Sequence, residues 1–143
     1  MIAILLTGCK STEIKNQKEY VIGHWYYLDY ECTDSVIEYG EILITDSTFI
    51  RAYVTAGLGP IWGKHEIKND TIFINGEVNY LLQIIDNNSF ELKESLSYCE
   101  DLGTITVHRM KEHEFELKEE FADYDELDIY FYNASIRSKK YMD

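Results

Sequence analysis

Four histidines, three cysteines and a surplus of carboxylates are the side chains of this 143-residue chain that could do chemistry. His65 and Glu66 are consecutive on an extended stretch, so they face opposite sides and cannot chelate one ion together. His24, His108 and His113 fall into no His-x-His pattern, and no Cys-x-x-Cys spacing occurs, which argues against a metal centre. There is no Gly-x-Ser-x-Gly turn to present a nucleophile and no glycine-rich loop to cradle phosphate. Asp29 and Glu31 flank Tyr30 and share a face. As a pair they could serve acid–base chemistry, but a polar lining or rim explains them with less. The residues therefore predict no enzyme, no metal and no cofactor.

The bulk composition narrows the partners. Thirteen basic against 26 acidic side chains give a net charge of −13. Such a field repels phosphate backbones, so nucleic acid is an unfavourable partner. With 45% apolar and 27% charged residues the chain is of ordinary globular composition, long enough for one domain. Twelve tyrosines, six phenylalanines and a single proline favour pleated, half-buried surfaces.

Residues 1–9, Met-Ile-Ala-Ile-Leu-Leu-Thr-Gly-Cys, are apolar and end in small residues before a cysteine. The run is too short to span a bilayer and fits an export signal. Leu6-Thr7-Gly8-Cys9 resembles the bacterial lipobox. That resemblance implies that Cys9 becomes the N-terminus and carries acyl chains, which hold a domain at a membrane far better than one chain would. Lys10 stands where an inner-membrane retention signal would have aspartate, so the expected location is the bacterial cell envelope, at the outer membrane. Residues 10–19 are polar and aperiodic and read as a flexible tether.

Eight strand signals follow within residues 20–110. They are Val21 to Tyr30, Val36 to Ile44, Thr48 to Val54, Ile61 to Ile67, Thr71 to Ile74, Val78 to Ile85, Phe90 to Glu94 and Thr104 to Met110. Short polar connections separate them, with a loop at Ala56–Pro60 and the strong hairpin dipeptide Asn75-Gly76. The pattern predicts an all-β fold, an antiparallel up-and-down barrel closed on itself so that no edge is exposed. Residues 111–143 change period. Phe115, Phe121, Tyr124, Leu127, Phe131, Ala134 and Tyr141 follow mostly helical spacing, with nine acidic side chains up to Asp128 and Arg137, Lys139 and Lys140 at the end. This predicts an acidic C-terminal α-helix lying on the barrel, broken near Asp123 if anywhere.

Closure makes two pairs neighbours. In antiparallel strands, facing residue numbers keep a nearly constant sum, and Cys32 with Cys99 and Trp25 with Arg109 give nearly equal sums. A Cys32–Cys99 disulfide follows if the compartment is oxidising. Arg109 is then expected over the Trp25 indole. Gly23-His24-Trp25 with the late Arg109 resembles the lipocalin superfamily, most closely the lipocalin-like domains of bacterial lipoproteins, which also share hairpins like Asp46-Ser47-Thr48-Phe49. The resemblance covers Val21 to Met110 and implies a barrel floor built on Trp25 and Arg109.

If Trp25 faces inward, alternation sends Tyr27 and Asp29 inward too. Tyr27, Phe49, Tyr53, Trp62 and Tyr80 then either line an apolar pocket or fill it. Two functions remain open. One is a lipid-anchored barrel binding a small hydrophobic ligand. The other is an acidic interaction module steered to a basic protein partner, such as a lysozyme-like enzyme.

Overall fold

The computed structural model describes residues 17–30, 37–94 and 103–142. Its strands are β1 (Gly23–Tyr30), β2 (Ile37–Ile44), β3 (Thr48–Tyr53), β4 (Leu58–Lys68), β5 (Thr71–Ile74), β6 (Val78–Asp86), β7 (Ser89–Glu94) and β8 (Thr104–Arg109). Each pairs antiparallel with the next, and β8 returns to β1, closing the barrel. The closing register puts Trp25 opposite Arg109. Cys9, Cys32, Cys99 and Glu31 lie outside the described residues, so neither the lipidation site nor the disulfide has a described geometry.

Turn chemistry sets the strand ends. Asn75 and Gly76 both adopt positive φ, 53° and 76°, as a two-residue hairpin turn requires. Asn69 and Asp70 do the same between β4 and β5, at 47° and 61°. Between β2 and β3 the Thr45 hydroxyl accepts the Thr48 amide at 3.0 Å.

Three expectations need correction. Residues Gln17–Val21 form one helical turn, α1, so 17–19 are not the aperiodic segment expected there and Val21 is not in a strand. That turn aims two carbonyls at the barrel floor. Val21 accepts the Trp25 indole N–H at 2.7 Å and Tyr20 accepts Arg109 Nη2 at 2.9 Å. Leu58, Gly59 and Pro60 belong to β4 rather than to a loop. Pro60 is tolerated because the β3–β4 register shifts there, a bulge in which a missing N–H costs nothing. The C-terminal helix, α2 (Tyr124–Met142), starts later than Lys111. Before it come a 3₁₀ turn at Glu112–Glu114 and an irregular stretch in which Leu117 is buried. Asp123 Oδ1 accepts the Glu126 amide at 2.9 Å and caps the true helix start.

Two apolar clusters result. Trp25, Tyr27, Ile42, Ile44, Phe49, Ile72, Tyr80, Leu82, Phe90, Leu92, Ile105 and Val107 fill the interior from alternate positions of every strand but β4. Outside, Tyr39, Leu43, Ile50 and Ala52 pack under Leu117, Tyr130 and Ala134. Strand β2 is thus buried on both faces, which is why Ile42-Leu43-Ile44 runs apolar without alternating. Neither described helix is long and apolar enough to cross a membrane.

Candidate ligand cavity at the open end

The two ends of the barrel differ. At the floor, Gly23 takes φ +137°, and a Cβ there would sit 3.1 Å from Arg109 Nη1, so only glycine fits comfortably. The Arg109 guanidinium carbon lies 4.0 Å from the Trp25 ring centroid and 5.8 Å from that of Tyr20. Phe90 meets Trp25 edge-on at 4.6 Å. Tyr20 also donates its hydroxyl to the carbonyl of Asp86. Arginine, two aromatic rings and α1 together plug this end.

At the other end the packing is incomplete. Strand β5 has four residues against eleven in β4, so the wall steps down beside Ile61 and Trp62. A cavity of about 220 Å³ opens there, lined by Phe49, Arg51, Tyr53, Ile61, Trp62, Ile74, Tyr80 and Glu94. Phe49, Tyr53 and Tyr80 are among the aromatic residues that the sequence offers as either lining or filling such a pocket. Phe49 and Tyr80 stack at 5.9 Å to form one wall. Tyr27 is fully buried beneath the cavity rather than on its surface. Its ring lies against Gly40, where a Cβ would fall 2.1 Å from the phenol carbon.

Trp62 corrects the sequence reading. It pairs with Ile50, whose side chain belongs to the outer cluster, and it is 68% exposed. The β-bulge at Gly59–Pro60 adds one residue between Leu58 and Ile61, and that reverses which side chains point inward. Ile61, not Trp62, takes the position opposite Arg51, and Trp62 borders the cavity from outside.

The residue that composition did not single out is Arg51. It alternates in phase with Phe49 and Tyr53, so the pleat carries a guanidinium into the interior, where it is 8% exposed. Its carbon lies 4.5 Å from the ring centroids of both Tyr27 and Tyr53. The Tyr27 hydroxyl accepts Arg51 Nε–H at 2.9 Å, and Asp29 Oδ2 is 3.9 Å from Nη2. Burial works against the Arg51 charge, but the phenols of Tyr27 and Tyr53 outweigh it and hold its pKa above the ordinary arginine value. Burial likewise raises the Tyr27 and Tyr80 phenols, despite the nearby guanidinium. Asp29 does face inward, but its described contact is to this cation rather than to a second catalytic carboxylate. Glu38 is buried and accepts the Thr55 amide at 3.2 Å.

The histidines are dispersed. His65 faces inward opposite Ile74, with Nε2 2.8 Å from the Thr45 carbonyl and Nδ1 without a partner among the described residues. His24 Nε2 lies 3.0 Å from the Leu117 carbonyl, and its ring stacks on Phe115 at 4.1 Å. Burial lowers its pKa. His108 stacks on Tyr26 at 5.3 Å, and His113 is exposed. Among the described residues no three His, Cys, Asp or Glu side chains converge as metal ligands would.

No family model matches the chain, and no curated protein is detectably similar to it.

Proposed function

We propose that this chain is a lipid-anchored envelope lipoprotein whose lipocalin-like barrel holds one small, largely apolar molecule at its open end. The observation that carries the ligand-binding half is asymmetry. One end is plugged by Tyr20, Trp25 and Arg109, while the other keeps an aromatic-walled void of about 220 Å³. A barrel of eight strands holds either a packed core or one small ligand, and this one divides its length between the two. The volume lies below the roughly 300–1,000 Å³ of drug-sized pockets, which points to a compact ligand or to one that protrudes through the step beside β5.

The acidic interaction module has less support. Much of the C-terminal acid is engaged within the chain. Glu114 binds Lys140 and Tyr141, Glu116 binds Arg137 and Asn133, Glu119 binds Thr45 and Glu126 binds Lys118.

Titration with a neutral fluorescent naphthylamine probe tests the cavity. Saturable binding is expected, and Ile74→Phe, which grows into the void, should abolish it. Saturation unchanged by that substitution would place the probe elsewhere. The anchor is tested separately. Cys9→Ala should move the protein from the membrane to the soluble fraction, and a variant that stays with the membrane removes the lipobox assignment.

A further inference from the structure

We propose that the outward face of α2 is a dimer interface, on which a second copy of this chain lays its own α2 antiparallel. The helix packs on the barrel through Tyr130, Ala134 and Ser138, which are buried. On the opposite face Ile129, Tyr132 and Ile136 are 61, 67 and 50% exposed, with Asp125 and Lys139 exposed at either end of them. At 3.6 residues per turn these five side chains fall within about 80° of arc, centred opposite the buried three. From Asp125 to Ile129, Tyr132, Ile136 and Lys139 the steps are four, three, four and three residues. That is the spacing of a seam between two helices, and an apolar stripe turned to water gains nothing until a partner covers it.

The charged ends select the partner and its direction. Asp125 lies seven residues before Tyr132 and Lys139 seven residues after it. In an antiparallel pair with its twofold axis at Tyr132, Asp125 of each copy faces Lys139 of the other. Ile129 and Ile136, three before and four after, then face each other with an offset of one residue, about 1.5 Å. One symmetric register therefore matches the apolar and the charged positions together. A parallel pair would set aspartate against aspartate and lysine against lysine. The net charge of −13 opposes self-association, but screening confines that repulsion to carboxylates near the contact. Of those, Glu114, Glu116 and Glu126 already bind Lys140, Arg137 and Lys118 within the chain. A bilayer fits the face less well, because Asp125 and Asp128 would be pressed into it with the isoleucines. A single helix pair is a small interface, so the dimer is expected to be weak, with a dissociation constant of roughly 10–100 μM.

The test is sedimentation of the full chain carrying Cys9→Ala, which has no acyl chain to drive association, from about 1 μM to about 1 mM. The average mass is expected to rise toward twice that of one chain, and Ile136→Asp should hold it at one. Asp125→Lys and Lys139→Asp should each weaken the dimer about fivefold, and the two together should restore it to within about twofold. All three positions are exposed, and circular dichroism checks that each variant keeps α2. A chain that stays monomeric throughout overturns the proposal. So does a dimer indifferent to Ile136→Asp, which would use another surface. A double charge reversal no better than the single ones overturns the antiparallel register. Monomers that bind phosphatidylcholine vesicles and lose them on Ile136→Asp would assign the face to a bilayer and overturn the dimer.

Discussion

Glu41 is 1% exposed, yet it carries a carboxylate under α2. Arg137 grips it with two bonds, Nε to Oε1 at 2.9 Å and Nη2 to Oε2 at 3.1 Å. The hydroxyls of Tyr39 and Tyr130 donate to its two oxygens at 2.9 and 3.0 Å. Burial raises both phenols, and the Glu41 charge raises them further, so they stay protonated as donors. Every oxygen is satisfied, and the cluster fastens the helix to the barrel wall. Removing one partner of a buried ion pair costs far more than the pair itself contributes. Arg137→Met should therefore lower stability by roughly 3 kcal/mol in urea denaturation. Combining it with Glu41→Leu should recover part of that loss, because no orphaned charge remains. A loss in the single variant as small as that of an exposed ion pair would mean that the carboxylate reaches water.

At the scale of elements, the sequence was most legible where turn chemistry punctuates it. Asn75-Gly76 marked a hairpin that bounds β5 and β6 where expected. Trp25 and Arg109 could be paired from residue numbers because an unbulged antiparallel ladder preserves their sum. The same arithmetic fails across β3 and β4. There a bulge at Gly59–Pro60 inserts a residue, and a proline that reads as a loop residue conceals a strand. Trp62 was named for its aromatic ring rather than by register, and the phase set by the bulge turns it outward. The C-terminal segment was misread because Phe115, Phe121, Tyr124 and Leu127 keep roughly helical spacing across a stretch that is not helical. The better signal lay in Asp123-x-x-Glu126, where the aspartate caps the helix and Glu126 reaches back to the Ala122 amide. Arg51 escaped notice for another reason. Composition-based reasoning sends charges outward, whereas alternation through Phe49-Ile50-Arg51-Ala52-Tyr53 sends this one in.

For the molecule as a whole, closure makes β1 and β8 neighbours along Trp25, Tyr26 and Tyr27. The chain leaves β1 at Tyr30 and enters β8 at Thr104, at the end that carries the cavity. Cys32 and Cys99 follow and precede those points in sequence. Peptide mapping without reductant, on protein made in an oxidising compartment, is expected to recover them as one cross-linked pair. Cys32→Ser should then lower stability by about 2–4 kcal/mol, and reductant should do the same to the unaltered protein. Insensitivity to reductant would remove the bond. The plugged floor has a mechanical consequence. Any pull on the N-terminal segment enters the described fold at Gln17 and is borne by Tyr20, Val21, Trp25 and Arg109, whose bonds to α1 lie at the far end from Arg51 and Glu94. On the proposed function, attachment and ligand exchange would occupy opposite poles of one barrel.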